Sequence, residues 1–322
     1  MRKKKIYPHP VSYIRERETH ISHVFLTGKY AYKVKKPVKF LFLDYSTLSK
    51  RRYFCERELE INKKLCGDMY IEVVPITKDG DVKIGGEGKV LEYALKMREI
   101  PQEYMMYDLL REGKITSETI SEIARIVADF HKKASTDEKI AKFGESQAIL
   151  KNCVDNFTDT RSLRGKLISK KKFDTIEQNT RRFLKEREEL FSKRVREGRV
   201  RDIHGDLHSG NIFVAERIYI FDAIEFNPEI NCTDVCAEVA FFSMDLDFSG
   251  RRDFSELFVK RYLELSGDEE LLELLDFYKC YRAMVRAKVN SYALLSKKAE
   301  SLVKKYFELA YEYALALEQK NF

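Results

Sequence analysis

The chain has 322 residues, with 59 lysines and arginines against 52 aspartates and glutamates, and a formal net charge of +7. Its 44% apolar and 34% charged residues exclude a disordered or fibrous chain, and its length predicts two folded units. No run approaches the ~18 apolar residues of a membrane span. The first residues lack the apolar stretch of a secretory signal, and the six scattered cysteines do not resemble a disulfide framework. We therefore expect a reduced, cytoplasmic protein with no membrane partner.

The first hundred residues predict a β-rich domain, 1–100, with one long helix. Residues 23–35 alternate in polarity around Thr27-Gly28-Lys29, which is typical of two strands joined by a tight turn. Ser46 is placed to cap a helix over 47–65. Short strands are then predicted over 71–76, 81–84 and 90–97. Ile100-Pro101 interrupts this pattern.

The second predicted domain, 101–322, is mainly helical. Strand-like stretches at 200–203 and 212–221 flank a polar motif over 204–211. From 269 to 316 the apolar spacing predicts two long amphipathic helices. The fold class expected from this order is α+β, with a β-rich N-terminal lobe and a helical C-terminal lobe.

Most of the positive charge is local. Residues 161–201 hold 15 lysines or arginines and 6 aspartates or glutamates, a net of +9. A solvated helical face explains such a stretch, and a surface for an anionic substrate or nucleic acid is the alternative. Nucleic acid is the less expected partner, because aromatic residues do not alternate with the basic ones and no recognition module repeats.

The strongest chemical signal is the run His204-Gly-Asp-Leu-His-Ser-Gly-Asn211, followed by an apolar strand that ends at Asp222. Phosphoryl transfer from a nucleotide needs one carboxylate to orient or deprotonate the acceptor hydroxyl. It also needs amide and carboxylate oxygens for Mg²⁺. A hairpin over 212–221 would return Asp222 to the side of Asn211. We therefore predict Asp206 as the catalytic residue, and Asn211 and Asp222 as metal ligands.

Further stretches carry a family resemblance: Glu18 to Gly28, Tyr30 to Pro37, Phe221 to Asn227 and Tyr281 to Lys288. With the polar motif, they make the chain resemble the aminoglycoside phosphotransferase-like family of the protein-kinase-like superfamily. Within that family it is similar to an uncharacterised bacterial and archaeal phosphotransferase-like subgroup. The resemblance covers nearly the whole chain and is weakest over 140–200. It implies a bilobal protein-kinase-like fold that transfers the γ-phosphoryl group of ATP or GTP, with Mg²⁺, to a hydroxyl of a small molecule.

The resemblance also implies a lysine that holds the α- and β-phosphates, paired with a helical glutamate. Lys33 matches the lysine position, and Lys35, on the same strand face, remains a rival. At ~100° per residue, Glu58 shares the apolar stripe of the predicted helix, whereas Glu56 and Glu60 point to solvent. A carboxylate on an apolar face needs a buried partner. We therefore predict a catalytic pair of Lys33 with Glu58.

The expected nucleotide contacts depart from the protein-kinase pattern. No glycine-rich loop precedes the lysine, and Thr19 to His23 occupies its place, so Ser22 is the candidate for a hydrogen bond to phosphate. The family pattern places a hinge over 98–101. Backbone groups of Ala94 to Met97, with Ala94 and Met97 as the two end positions, are expected to meet the adenine.

The resemblance assigns supporting roles around the catalytic motif. His204 and His208 are expected to hold the loop by packing and hydrogen bonds. Asp234 matches an aspartate that receives hydrogen bonds from the loop backbone.

The acceptor is not named by any motif. Glu225, Asp245 and Asp247 could form an acidic pocket for a cationic or polyhydroxyl acceptor, or the last two could pair with nearby arginines. Three alternative functions remain open at this stage: a protein kinase, a nucleotide-binding regulator without catalysis, and a nucleic-acid-binding protein that uses the basic stretch. The protein kinase is disfavoured, because no Asp-Phe-Gly or Ala-Pro-Glu segment bounds an activation loop after Asp222.

Overall fold

The computed structural model describes residues 1–40, 43–292 and 296–319. The chain divides into two compact units. Unit 1 comprises Met1–Leu109 and Gly210–Asn227, and unit 2 comprises Leu110–Ser209 and Pro228–Phe322. These bounds differ from the domains 1–100 and 101–322, which stay a prediction. The α+β class is confirmed, with a β-rich unit that contains one long helix and a mainly helical unit.

The described part of the chain forms twelve strands and twelve α-helices, besides six 3-10 helices of three residues each. The strands are β1 (Arg15–Glu18), β2 (Ser22–Leu26), β3 (Tyr30–Lys35), β4 (Lys39–Phe40), β5 (Leu43–Asp44), β6 (Tyr70–Asp79), β7 (Asp81–Ile84), β8 (Lys89–Arg98), β9 (Val200–Asp202), β10 (Ile212–Val214), β11 (Ile218–Ile220) and β12 (Cys232–Asp234). The helices are α1 (Leu48–Cys66), α2 (Met106–Arg111), α3 (Ser117–Lys133), α4 (Glu138–Ala141), α5 (Ser146–Thr160), α6 (Lys170–Glu186), α7 (Glu188–Arg196), α8 (Pro228–Asn231), α9 (Val235–Phe248), α10 (Arg252–Ser266), α11 (Leu271–Ser291) and α12 (Lys297–Gln319).

Unit 1 is built on an antiparallel six-stranded sheet in the order β1-β2-β3-β8-β6-β7. Alternation along β3 decides which side chains meet α1. Ala31 packs in one apolar cluster with Cys66 of α1, whereas Tyr32 packs in a second cluster with Tyr7 and Val74. Lys33 and Lys35 have the parity of Ala31, and therefore project from the α1 side of the sheet.

Helix α1 begins one residue later than predicted, and its cap is Thr47 rather than Ser46. The Thr47 hydroxyl accepts the Lys50 N–H at 3.3 Å, as an N-cap side chain does. Ser46 instead donates to the carboxylate of Asp44. The buried positions of α1 recur at helical spacing and form one stripe. They are Arg51, Cys55, Glu58, Ile61, Asn62, Leu65 and Cys66.

In unit 2, helix α9 is buried on nearly all sides and packs against α10 and α11. The short strands β9 and β12 pair antiparallel, with Asp202 opposite Cys232, so the chain entering the 204–211 loop is tied to the chain that leads into α9. The two helices predicted over 269–316 are present as α11 and α12, and residues 293–295 between them lie outside the described part. Over residues 1–40, 43–292 and 296–319, no helix has both the length and the apolar character that a membrane crossing requires.

Candidate active site

The side chain of Lys33 lies between two carboxylates of unit 1. Its Nζ donates to Glu58 Oε1 at 2.7 Å and to Asp222 Oδ1 at 2.5 Å. Glu58 is wholly buried on α1, whereas the Asp222 side chain is 48% exposed. The structure thus brings Lys33 and Glu58 together, as the apolar stripe of α1 predicts, and adds Asp222 to the pair.

Lys35 forms a second, deeper set of contacts. Its Nζ donates to Glu58 Oε2 at 2.6 Å, so the two oxygens of Glu58 serve the two lysines separately. Lys35 also donates to Glu225, which accepts a further hydrogen bond from the Tyr45 hydroxyl. The Lys35 side chain is only 1% exposed. The two candidates for the phosphate lysine therefore differ in their surroundings: Lys33 contacts the partly exposed Asp222, whereas Lys35 contacts buried groups.

The charges in this cluster support one another. Burial alone would lower the pKa of Lys33, but the carboxylates of Asp222 and Glu58 outweigh it and hold that pKa well above its usual value. Burial would raise the pKa of Glu58, and the two lysine ammonium groups lower it instead. Burial also opposes the charge of Lys35, but Glu225 and Glu58 outweigh it and raise the pKa of that lysine. Both lysines are therefore charged and Glu58 is ionised across the physiological pH range.

Asp222 has an unusual backbone conformation. Its φ of 65° is the one positive value found at a non-glycine residue in the described chain. Residues other than glycine are uncommon in this left-handed region, although aspartate enters it more readily than most. Here the Asp222 N–H donates to the Tyr70 hydroxyl at 3.2 Å, and the next N–H, of Ala223, donates to Asn62 Oδ1 at 3.1 Å.

The hairpin of β10 and β11 returns Asp222 towards Asn211. Ile212 pairs with Ile220, and the Phe221 N–H donates to the Asn211 carbonyl at 3.0 Å. The two predicted metal ligands therefore flank the open end of one hairpin. A carboxylate and a side-chain amide offer the hard oxygen donors that Mg²⁺ prefers, so these residues fit the predicted ion, and their role as ligands stays a prediction.

Ser22 lies at the start of β2 rather than in a free loop. It pairs with Lys35 across β3, so its side chain projects from the same sheet face as that lysine. Ser22 is buried, and its hydroxyl finds no hydrogen-bond partner within the described residues. A buried hydroxyl without a partner is uncommon in a folded protein. An oxygen atom of a bound ligand would supply the missing partner.

Ala94 and Met97 lie in the centre of the sheet. Each is paired on both sides of β8, with residues of β3 and of β6. Ladder pairing on both edges occupies the backbone groups that adenine would need. Their predicted adenine contacts therefore gain no support from the strand pairing, and the role stays a prediction.

In unit 2, Asp206 sits in a basic setting. Its Oδ2 lies 3.5 Å from His208 Nε2, which in turn lies 3.4 Å from an Arg286 guanidinium nitrogen. Burial would raise the pKa of Asp206, but His208 and Arg286 outweigh it and lower the pKa. A carboxylate of this kind stays ionised and is a weak proton acceptor.

The loop that carries Asp206 is held by helix α9 and by Arg282. Glu238 Oε1 accepts the Gly205 N–H at 3.2 Å, and Asp245 Oδ2 accepts the Ser209 N–H at 2.8 Å. Seven residues, or two turns, separate the two acceptors. Arg282 donates to the Gly205 carbonyl at 3.1 Å. Sequence reasoning missed Glu238, which also contacts the buried His131 at 2.7 Å.

Asp234 does not have its expected role, which was to receive hydrogen bonds from the loop backbone. Its carboxylate accepts two hydrogen bonds from Arg194, at 2.5 and 2.8 Å, and caps α9 through the Cys236 N–H. Arg194 is buried and also donates to Asp268. Asp234 thus anchors α9, and the loop backbone is bound by Glu238 and Asp245 instead. The expected hydrogen bond of His204 is present, because its Nδ1 accepts the Asp206 N–H at 3.2 Å.

The acidic acceptor pocket is not supported. Glu225 is buried against Lys35 and Tyr45. Asp245 binds the Ser209 N–H, and Asp247 accepts from Lys279 at 2.9 Å. All three carboxylates are committed to groups of their own unit, so they are not available to a cationic acceptor in this arrangement.

Many cations of the basic stretch over 161–201 are held in ion pairs within unit 2, with acids of the stretch itself and with acids outside it. Besides the buried Arg194, several of them form close ion pairs. These pairs are Arg161–Glu177, Arg164–Asp174, Arg181–Glu177, Lys172–Glu308 and Lys193–Glu270. A solvated, ion-paired helical face therefore accounts for these residues better than an exposed surface for nucleic acid.

Comparison with known sequences finds relatives that are described as uncharacterized proteins. One protein of Mycobacterium bovis and one of Mycobacterium tuberculosis are each 33% identical to this chain over 297 residues, which is 91% of the chain. The chain spans 58% of the length of these curated relatives. No protein-family model matches the sequence.

Comparison with solved structures finds kinase-like folds. A choline/ethanolamine kinase family protein from Mesorhizobium loti aligns with a TM-score of 0.56 at 12% identity, over 97% of this chain and 90% of that one. The GDP and kanamycin complex of APH(2")-IIia aligns with a TM-score of 0.55 at 12% identity, over 98% and 96%. The GDP complex of aminoglycoside 2'-phosphotransferase-IIIa aligns with a TM-score of 0.51 at 14% identity, over 95% and 93%. The chain therefore has the protein-kinase-like fold of aminoglycoside phosphotransferases and choline/ethanolamine kinase-family proteins, as its sequence motifs predict.

Proposed function

We propose that the protein is a small-molecule kinase, which transfers the γ-phosphoryl group of ATP or GTP to a hydroxyl of its acceptor with Mg²⁺. One observation carries the proposal: Lys33 bonds both Glu58, at 2.7 Å, and Asp222, at 2.5 Å. A lysine fixed by a buried glutamate beside a partly exposed aspartate is the arrangement that kinase-like enzymes use for nucleotide phosphates and metal.

Lys33 is the lysine assigned to the α- and β-phosphates. Its contact with the 48% exposed Asp222 leaves its ammonium accessible from the side where a ligand can arrive. Lys35 is 1% exposed and bonded to three buried side chains, so it has no free donor direction towards a phosphate. Ser22, whose hydroxyl has no partner in the described chain, is assigned a hydrogen bond to phosphate.

Asn211 and Asp222 are the residues that would hold the ion. Mg²⁺ supplies charge stabilisation for the phosphate oxygens of the nucleotide. On the protein side, the left-handed backbone of Asp222 and its N–H bond to Tyr70 fix the direction of the carboxylate before any ligand binds, which lowers the reorganisation needed on binding.

Asp206 is assigned to the acceptor hydroxyl. Because its pKa is lowered, it accepts a hydrogen bond from the hydroxyl and orients the attacking oxygen, and it takes the proton only when the bond to phosphorus is largely formed. This division suits a loose transition state, in which positioning and charge stabilisation provide most of the rate.

The choice of nucleotide and acceptor is open to a direct assay. Two similar structures hold GDP, one of them together with kanamycin, and a third similar protein belongs to the choline/ethanolamine kinase family. One fold thus serves both aminoglycosides and small amino alcohols. A screen should therefore pair ATP and GTP with these three acceptors and with uncharged polyols.

The test measures acceptor-dependent release of ADP or GDP by the wild type and by Asp206→Ala. We expect release with at least one acceptor class and a loss of about 10²–10⁴-fold in the variant, while nucleotide binding by calorimetry remains. Glu103→Ala, a substitution at an exposed residue of unit 1, serves as the control. Binding without release from any acceptor would indicate a regulator and contradict the proposal.

A further inference from the structure

The segment of residues 222–225 is attached to the rest of unit 1 at both of its ends. Asp222 accepts from Lys33, and Glu225 accepts from Lys35. Both lysines lie on β3 and both bond the carboxylate of Glu58. The five side chains therefore form a row of alternating charges, Asp222–Lys33–Glu58–Lys35–Glu225, whose two ends are joined by the backbone of the 222–225 segment.

The two attachments differ in their access to solvent. At the Lys33 end the side chains are 12% and 48% exposed, whereas at the Lys35 end they are 1% and 4% exposed. The Lys33 contact can therefore be exchanged for a ligand, and the Lys35 contact is sealed. Tyr45, itself fully buried, donates to Glu225 and adds a second bond at the sealed end.

The left-handed backbone of Asp222 depends on the contacts that hold it. Aspartate enters this region more readily than most residues, but the surrounding structure still has to fix it there. If Lys33 and Asp222 both turn to the nucleotide and its metal, the open end of the segment loses its ion pair. The hydrogen bonds to Tyr70 and Asn62 then depend on the other end for their alignment.

We propose that Lys35 and Glu225 are positioning residues, whose buried contact holds the 222–225 segment so that Asp222 keeps its ligand-ready backbone while Lys33 serves the phosphates. The inference rests on the proposed function for the role of Asp222, but its structural content does not depend on activity. In this arrangement Lys33 binds the phosphates, and Lys35, two residues further along the same strand, holds the 222–225 segment through Glu225.

The chain offers a matched pair of variants for the test. Lys33→Met and Lys35→Met remove the same charge from the same strand, and each takes one partner from Glu58. The measurement is hydrogen–deuterium exchange of the peptide over 221–227, without nucleotide or metal. We expect Lys35→Met to speed exchange of this peptide on the order of tenfold or more, and Lys33→Met to change it by less than about threefold.

Unchanged protection in Lys35→Met, or an equal loss in both variants, would overturn the proposal. If Lys35→Met does not fold, Lys35→Met/Glu225→Leu removes both buried charges together. Faster exchange in this double variant supports the proposal, and wild-type protection contradicts it. Failure of the proposed function is a separate result: the wild type would then show no stabilisation by Mg²⁺ and nucleotide, while the exchange comparison would still decide the role of Lys35 and Glu225.

Discussion

The ammonium nitrogen of Lys33 lies 2.5 Å from Oδ1 of Asp222, a residue 189 positions further along the chain. This contact ties the middle of the β-sheet to the segment that follows the β10–β11 hairpin. It also places the candidate phosphate lysine beside the candidate metal ligand within one compact unit.

The first prediction concerns Glu58. Replacing it in Glu58→Gln leaves two buried lysines with less negative charge, so the free energy of unfolding should fall by about 3 kcal/mol, as expected when one partner of a buried ion pair is removed. Urea denaturation measures this change. Glu56→Gln is the control on the same helix, because Glu56 is exposed and pairs with the equally exposed Arg52, and it should cost less than about 0.5 kcal/mol. Equal costs for the two variants would refute the buried role of Glu58.

The second prediction separates binding from stability at Ser22. Its buried hydroxyl lacks a partner within the described chain, so Ser22→Ala should leave the free energy of unfolding unchanged or raise it by up to about 1 kcal/mol. The same variant should weaken the binding of Mg²⁺-nucleotide several-fold, measured by calorimetry. Unaltered affinity would show that the hydroxyl does not meet the phosphates.

The third prediction concerns pH. Asp268 accepts two hydrogen bonds from Arg194, at 2.8 and 2.9 Å. Burial opposes the effect, but Arg194 lowers the pKa of Asp268 below its usual 3.8. A lowered pKa means that the pair stabilises the fold fully above the unfolded pKa, and that this stability is lost as the pH falls through the folded value. Asp268→Asn should cost on the order of 2 kcal/mol at pH 7.

Urea denaturation of both proteins, repeated at low pH, tests the predicted direction of this pH dependence. The gap between wild type and Asp268→Asn should narrow below about pH 4, because the Asp268 carboxylate of the unfolded wild type then takes up a proton, whereas that of the folded wild type does so only at a lower pH. A gap that stays constant down to pH 2 would contradict the assignment.

Local patterns in the sequence were sufficient for part of the site. Alternation along β3 predicts that Lys33 and Lys35 share a face, and the stripe on α1 predicts a buried Glu58. Both patterns hold because a strand repeats every two residues and a helix every 3.6. The hairpin that joins Asn211 to Asp222 follows from the same kind of local signal.

Other contacts had no local signal. Glu225 contacts Lys35, which lies 190 positions earlier in the chain. From the sequence alone, its position three residues after Asp222 suggested a place in the acceptor pocket instead. Glu238 lies in the apolar run of α9, where the pattern gives no sign that its carboxylate binds the Gly205 N–H. The strand β1 was missed because all four of its residues are charged. Such features depend on tertiary pairing, which single-sequence periodicity does not encode.

The most direct measurement is thermal unfolding of the wild type and Asp222→Asn, with and without ATP or GTP plus Mg²⁺. Asparagine tolerates the left-handed backbone at this position, so the variant removes charge and leaves the local fold intact. We predict that the wild-type melting temperature rises only when both nucleotide and Mg²⁺ are present, because a ligand at a hundredfold excess over Kd stabilises the fold by about 2.7 kcal/mol. The rise should be much smaller in Asp222→Asn. An equal rise in both proteins, or no rise in the wild type with either nucleotide, would contradict the account.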